Sequence, residues 1–220
     1  MKKLCRILSR LLTSPVERIV LSKTTPGEGV VLWLVSDIHS PDKFSMTDLD
    51  PGQFDLALTL GDIDTATMDY ILYNTRFVET FGVYGNHDPK SIPGVMCIEG
   101  KILELAGWTI SGLCGSTTAY QHLHKPFAVH VYSEREVRKK LKRIGPVDIL
   151  ISHAPPFSVS QEEGVIHQGF HALDDYIETC RPKYVIYGHL HKRQRHRIGD
   201  TEVVGIVEKD YLKIPPASKA

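Results

Sequence analysis

Short apolar runs alternate along the chain with longer segments in which apolar residues recur at helical spacing. Six runs are rich in aliphatic and aromatic residues and end at turn-forming or polar residues, which is typical of buried strands. They are Val30–Ser36, 54–60, 81–84, Trp108–Leu113, 148–152 and 183–187. We expect these runs to build the sheets of the domain.

Three segments with helical periodicity predict helices. They are 65–80, 133–144 and His171–Cys180. The second opens with a capping box formed by Ser133 and Glu136. The third ends before Pro182, because the residue before a proline disfavours helical geometry. Strands that alternate with helices predict an α/β fold in which helices cover the sheets.

The two ends of the chain differ from this pattern. Residues 2–12 place leucines and one isoleucine between lysines and arginines at helical spacing. This predicts a short amphipathic helix that packs on the domain or a partner or, alternatively, makes peripheral contact with a membrane surface. Near the other end, 192–198 and 202–207 flank a Gly-Asp turn and predict a hairpin. The predicted divisions are an N-terminal helix and linker over 1–29, a domain over 30–214 and a tail over 215–220.

Composition narrows the class of protein. The chain has 220 residues, enough for one substantial core, and its 26 Lys and Arg balance its 26 Asp and Glu. Without net charge, no global field draws it to nucleic acid or an anionic membrane, so any phosphate affinity must be local. The four cysteines form no C-x-x-C pair, which disfavours a disulfide framework or a thiolate zinc site. With no transmembrane run and no signal peptide, we expect a cytoplasmic protein.

Metal-ligand residue types follow five of the six predicted strands. They are Asp37 and His39, then Asp62, then Asn86 to Asp88, then His153, and finally His189 with His191. Because ligands gather beyond the carboxyl ends of strands in α/β sheets, we expect these side chains to converge. A mixed oxygen and nitrogen set suits Mn²⁺, Fe, Zn²⁺ or Ni²⁺ better than Ca²⁺ or Mg²⁺ alone. Two such ions, about 3.5–4 Å apart, clamp the attacking and leaving oxygens in phosphoryl transfer.

These motifs, in this order, resemble those of the calcineurin-like metallophosphoesterases. The family's D-x-H, G-D, G-N-H-[D/E], lone H and G-H-x-H match from Asp37 to His191. The segment from Ser152 to Pro156, followed by His167 and Gly169, is similar to the small prokaryotic phosphodiesterase branch. The resemblance implies an α/β fold of two packed mixed β-sheets flanked by helices, the four-layer α/β/β/α sandwich of that superfamily.

The resemblance also implies a set of ligands for two divalent metal ions. One ion would be held by Asp37, His39 and His191, and the other by Asn86, His153 and His189, with Asp62 as the bridge. A carboxylate suits a bridge because each of its oxygens can face one cation. Two cations that share a water lower its pKa, so we expect a metal-bridging hydroxide as the nucleophile.

The remaining residues of the motifs are expected to act on substrate. His87 has no place among the ligands, so we expect it to be the general acid that protonates the departing alkoxide, as the resemblance also implies. Asp88 would orient His87 and raise its pKa. Asn86 and His87 are expected to contact substrate. His167 is a further expected contact, because it lies in a loop long enough to fold over the site.

Other polar residues near the motifs are expected to be structural. Asp64 lies closer to Asp62 than the family's common G-D-x-x-D spacing allows, so it should support the fold rather than bind metal. His122 and His124 imitate the last motif but lie in a polar loop. The basic run at 192–197 is expected to be a solvated edge strand, with phosphate or nucleic-acid binding as the alternative.

The motifs also bear on the substrate. Protein phosphatases of this superfamily carry arginines in G-D-x-x-D-R-G and R-G-N-H-E, which 61–65 and 84–88 lack. A monoester dianion usually needs such a cation, so we expect a small phosphodiester, with cyclic nucleotides among the candidates. Nucleic acid is not favoured as a partner. The alternatives are a phosphomonoesterase, a nuclease, or a binding scaffold that keeps the fold without catalysis.

Overall fold

The computed structural model of the protein describes residues 16–21, 29–44, 53–75, 79–117 and 129–217. The helix predicted over 2–12 and the pair His122 and His124 lie outside these ranges. Within them, the helices are α1 (Thr65–Asn74), α2 (Glu134–Ile144) and α3 (His171–Cys180). None of the helices in these ranges has the length and apolar character needed to cross a bilayer.

The larger sheet has seven strands. In spatial order they are β1 (Arg18–Leu21), β6 (Ile102–Leu105), β7 (Trp108–Leu113), β10 (Ile149–Ser152), β11 (Tyr184–Tyr187), β13 (Thr201–Gly205) and β12 (Gln194–Ile198). β7, β10, β11 and β13 run parallel, so their carboxyl ends lie at one edge. β12 is antiparallel to β13 and completes the predicted hairpin.

The smaller sheet has five strands. In spatial order they are β14 (Glu208–Ile214), β2 (Val30–Ser36), β3 (Leu56–Thr59), β4 (Thr80–Gly82) and β5 (Met96–Cys97). β2 to β5 are parallel, and β14 is antiparallel to β2, with Glu208 opposite Ser36. A separate parallel pair joins β8 (Ser116–Thr117) to β9 (Val131–Tyr132).

The main core lies between the two sheets. Along β10, Ile149 and Ile151 join this central cluster, whereas Leu150 faces the opposite side and joins a second cluster built with α2 and α3. Alternate side chains of a strand point to opposite faces, so a strand covered on both sides is apolar throughout. α1 contributes Met68 and Ile71 to the central cluster. The expected sandwich of two mixed sheets and flanking helices is confirmed.

Two predicted boundaries are corrected. The helix predicted over 65–80 ends at Asn74, because Thr75 caps it through bonds from its N–H and Oγ1 to the Ile71 carbonyl, and β4 begins at Thr80. Residues 18–21, placed in the predicted linker, form β1 and pair with β6. The larger sheet therefore begins before residue 30.

The apolar pattern also fails to predict β6 and β14. β6 turns into β7 through Ala106 and Gly107, whose φ angles of 49° and 84° are the left-handed geometry of a tight hairpin. Glu104 interrupts the apolar run of β6, and charged residues interrupt β14. Strands with one partly solvated side lack the continuous apolar signal of the central strands.

A side chain of α2 caps the N-terminus of α3. The N-cap of α3, Phe170, makes no side-chain cap bond. Instead, the Glu134 carboxylate accepts hydrogen bonds from the N–H groups of His171 at 2.8 Å and Ala172 at 2.9 Å. A carboxylate near the first turn also interacts favourably with the helix dipole. This contact joins the two helices that cover the larger sheet.

We expect Glu134→Ala to lower the free energy of unfolding by about 1–2 kcal/mol, because two N–H groups of the first turn lose their acceptor. Urea unfolding followed by circular dichroism measures the change. Glu178→Ala, at an exposed glutamate on α3, is the matched control. Equal effects of the two substitutions would show that the cap contributes nothing.

Candidate metal centre

Two groups of metal-ligand side chains meet where the carboxyl ends of the parallel strands of both sheets come together. One group is Asp37, His39 and His191, and the other is Asp62, His153 and His189, with the ligand atoms of each group within 4.8 Å of one another. Asp37 and Asp62 follow β2 and β3 of the smaller sheet, whereas His153 and His189 follow β10 and β11 of the larger one. Each group therefore takes its side chains from both sheets. Which of them bind metal stays a prediction.

In the first group, three atoms with lone pairs converge. His191 Nε2 lies 3.4 Å from His39 Nε2 and 3.5 Å from Asp37 Oδ1. Asp37 Oδ2 accepts hydrogen bonds from Ser36 Oγ at 2.5 Å and His189 N–H at 2.7 Å. Asp37 Oδ1, by contrast, is buried without a hydrogen-bond partner. Because buried carboxylate oxygens are normally satisfied, these residues fit a cation at this position.

In the second group, two backbone carbonyls select the ring nitrogens that face the site. His153 Nδ1 donates to the Leu60 carbonyl at 2.8 Å, and His189 Nε2 donates to the Ile166 carbonyl at 3.1 Å. His153 Nε2 then faces Asp62 Oδ2 at 3.3 Å and Asn86 Oδ1 at 3.1 Å. Histidine ligands of metals are commonly oriented in this way through the other ring nitrogen. The geometry leaves Nε2 of His153 and Nδ1 of His189 to bind a cation.

Burial and the neighbouring charges shift the pKa values of these groups in opposite directions. Burial raises the pKa of Asp37 to about 6, although the His153 charge opposes it. Burial alone would also raise the pKa of Asp62, but the neighbouring His153 charge lowers it well below the ordinary range. Burial alone would lower the pKa of His153, yet the Asp62 charge raises it to about 9. The charges of Asp62 and His153 therefore each favour the ionised form of the other.

The two oxygens of Asp62 have different partners. Oδ1 accepts a hydrogen bond from the His87 backbone N–H at 2.8 Å, whereas Oδ2 faces His153 Nε2. The role of Asp62 as a bridge between two cations stays a prediction.

His87 and Asp88 do not form the expected pair. The side chain of His87 is 47% exposed, and its Nε2 lies 3.9 Å from Asp62 Oδ2. Asp88 is buried, and its Oδ2 accepts hydrogen bonds from the N–H groups of Asp62 at 2.9 Å and Gly85 at 2.7 Å. The prediction that Asp88 orients His87 is corrected, because this carboxylate fastens the β3 and β4 loops to each other.

Two further predicted residues can be placed. The ring centroid of His167 lies 5.4 Å from that of His189 and 5.8 Å from that of His191, so His167 borders the site. Its contact with substrate stays a prediction. Asp64 accepts hydrogen bonds from the N–H groups of Ala66 and Thr67 and is the N-cap of α1. That is the structural role that its spacing predicts.

Sequence reasoning misses the groups that hold the ligands. Ser36 binds Asp37 through its hydroxyl, and its only sequence signal is its position directly before the D-x-H motif. The carbonyls of Leu60 and Ile166 carry no sequence signal, because every residue has a carbonyl. Only the fold shows which carbonyl lies opposite which imidazole.

The fold and this cluster of ligands together define the metallophosphoesterase class. The family model of the calcineurin-like phosphoesterase superfamily domain matches residues 31–206, so the chain belongs to that superfamily. No curated protein sequence matches the chain. The superfamily uses divalent metals and consists of metal-dependent phosphoesterases, and membership in it supports hydrolase activity.

Solved structures share the fold at low sequence identity. Phosphopantetheinyl hydrolase from Mycobacterium tuberculosis is 14% identical with a TM-score of 0.57, and the alignment covers 83% of this chain and 91% of that one. The protein TT1561 of Thermus thermophilus is 16% identical with a TM-score of 0.56, over 82% of this chain and 90% of that one. At such identities, the likeness concerns the fold alone.

We expect Gly85→Ala to weaken Mn²⁺ binding by about 10- to 100-fold, the range found when residues supporting metal ligands are changed. A Cβ at Gly85 would collide with Asp62 Oδ1 and would lie 2.8 Å from the Asp62 backbone nitrogen, so the carboxylate must move. Isothermal titration calorimetry measures the affinity, and circular dichroism checks the fold.

The control for this substitution is Gly164→Ala, because a Cβ at Gly164 meets no atom within 4 Å. Unchanged Mn²⁺ affinity in a folded Gly85→Ala protein would contradict the placement of Asp62 in the metal centre.

Proposed function

We propose that this protein is a dinuclear metal-dependent phosphodiesterase. The observation that carries the proposal is the meeting of two ligand groups at one edge, with the unsatisfied Asp37 Oδ1 in one of them. One cation would be held by Asp37, His39 and His191, and the second by Asn86, His153 and His189, with Asp62 as the bridge between them. The donor set favours Mn²⁺, Fe, Zn²⁺ or Ni²⁺. When bound, such cations supply Lewis-acid stabilisation of the phosphoryl oxygens and generate a hydroxide nucleophile from water.

His87 is the proposed general acid. Its half-exposed ring lies beside Asp62, so it borders the site without belonging to either ligand group. Its backbone N–H bond to Asp62 Oδ1 fixes the start of the side chain relative to the ligands. An imidazole placed there can deliver a proton to the oxygen that leaves phosphorus.

The charges around the site favour a diester over a monoester. In the basic run after His191, Lys192 binds both oxygens of Glu163 at 2.7 and 2.9 Å, and Arg195 binds Glu202 at 2.5 Å. Arg193 donates to the Lys209 carbonyl. Two of the four cations are thus neutralised by carboxylates, and β12 is the solvated edge strand that the sequence predicts. A diester monoanion needs less positive charge than a monoester dianion.

We expect Asp62→Ala and His87→Ala to separate metal binding from proton transfer. Elemental analysis after Mn²⁺ loading should give about two ions per chain for the unmodified protein and for His87→Ala, but less than one for Asp62→Ala. His87→Ala should lower kcat by about 10²- to 10⁴-fold on alkyl diesters, and by less when the leaving group needs no proton.

The control is His196→Ala, at an exposed position of β12, which should leave metal content and kcat unchanged. If His87→Ala loses metal as fully as Asp62→Ala, His87 is a ligand and its role as acid is wrong.

A substrate panel tests the specificity directly. With Mn²⁺, we expect a higher kcat/KM for bis(p-nitrophenyl) phosphate or for 2′,3′- or 3′,5′-cyclic nucleotides than for p-nitrophenyl phosphate. Single-stranded DNA in the same panel tests the nuclease alternative. A clear preference for the monoester would make the protein a phosphatase. No turnover of any substrate by protein carrying both metals would favour a binding scaffold.

A further inference from the structure

Two cysteines outside the metal centre lie in contact across the two sheets. Cys97 ends β5 in the smaller sheet and is partly exposed, whereas Cys114 follows β7 in the larger sheet and is 1% exposed. Their Sγ atoms lie 3.6 Å apart. Hydrogen bonds hold the backbone beside each cysteine: Ile98 N–H donates to the Gly82 carbonyl, and Cys114 N–H donates to Glu99 Oε1. The contact is therefore a fixed feature of the sheet packing.

We propose that Cys97 and Cys114 form a reversible disulfide under peroxide, and that closing this bond loosens the metal-binding loop at Asn86. A disulfide has an S–S distance of about 2.05 Å, so the two sulfurs must approach by roughly 1.5 Å through side-chain rotation. The bond would join the two sheets covalently at a point between β5 and β7.

The two thiols differ in acidity. The hydrogen bond from Cys114 lowers the pKa of Cys97, whereas burial raises the pKa of Cys114. Cys97 would attack the peroxide and become a sulfenic acid, with release of one water. Cys114 Sγ would then attack the Cys97 sulfur, the S–O bond would break, and a second water would leave. In sum, the two thiols lose two electrons and two protons, and hydrogen peroxide is reduced to two waters.

Tyr84 links the cysteines to the metal centre. Its buried backbone N–H donates to Cys114 Sγ at 3.2 Å, and its carbonyl accepts from Gly115 N–H at 2.7 Å. When Cys114 Sγ turns toward Cys97, the Tyr84 N–H loses this acceptor, which is unfavourable for a buried group. Tyr84 directly precedes Gly85 and Asn86, so the loop must shift to restore the bond.

The effect on metal binding rests on the proposed function, but the formation of the disulfide does not. Disulfide formation and Mn²⁺ affinity should therefore be measured separately, in the full chain reduced with dithiothreitol and in the full chain treated with hydrogen peroxide. Peptide mass spectrometry identifies the linked cysteines, and calorimetry measures Mn²⁺ affinity. We expect a bond between Cys97 and Cys114 and at least about 5-fold weaker Mn²⁺ binding after oxidation, both reversed by dithiothreitol.

Two variants make the test specific. Cys97→Ala keeps the Cys114 sulfur that accepts from Tyr84, so it should fold and bind Mn²⁺ like the reduced protein but become insensitive to peroxide. Cys180→Ala, at a cysteine that ends α3, should respond as the unmodified chain does.

Each remaining result has a defined meaning. Thiols that stay reduced, or a bond to Cys5 or Cys180, would overturn the proposed pair. A Cys97–Cys114 bond with unchanged Mn²⁺ affinity would overturn the link to the metal-binding loop. If the reduced protein binds no Mn²⁺ at all, the proposed function is wrong, whereas the mass spectrum still decides whether the disulfide forms.

Discussion

Buried carboxylates that bind backbone N–H groups with one oxygen hold this site together. Asp37 Oδ2 accepts from His189 N–H, which ties β2 of the smaller sheet to the loop after β11 of the larger one. Asp62 Oδ1 accepts from His87 N–H, and Asp88 Oδ2 accepts from the N–H groups of Asp62 and Gly85. Charge-assisted bonds of this kind are about twice as strong as neutral ones. They join the loop after β2 to the loop after β11, and the loop after β3 to the loop after β4. They leave Asp37 Oδ1 and Asp62 Oδ2 facing the site.

This arrangement requires an unfavourable backbone. Asp37, Asp62, His189 and His191 have left-handed φ angles of 56°, 55°, 68° and 52°. Such a conformation costs about 1–3 kcal/mol at a residue other than glycine, and it persists only where the surroundings determine it. Here the core determines the conformation, because Val35, Leu58 and Ile186 in the strands that precede these residues are fully buried. Four strained residues among the candidate ligands, all at strand ends, are what a functional site is expected to show.

How much of this could be predicted depends on the kind of contact. Val30–Ser36 and Trp108–Leu113 have the predicted bounds because strands covered on both sides are continuously apolar. The convergence of these side chains was predictable because residues at parallel strand ends meet at one edge of a sheet, whereas their division into two groups came from the family resemblance. The role of Asp88 was not predictable, because a carboxylate beside a histidine can bind either the imidazole ring or backbone N–H groups. The contact between Cys97 and Cys114 was not predictable either, because these residues meet only through the packing of one sheet on the other.

The loop that follows β10 connects a candidate metal ligand with the residue that is predicted to contact substrate. The Ile166 carbonyl orients His189 from this loop, and the next residue, His167, borders the same ligand groups. The Glu163 carboxylate anchors the loop to Lys192, which directly follows His191. A cation held by His189 would favour the ring orientation that the Ile166 carbonyl also favours, so metal binding and the order of this loop would stabilise each other. His167 would consequently be placed for substrate only when His189 is correctly oriented, and the basic residue after the last motif acts here by holding the loop.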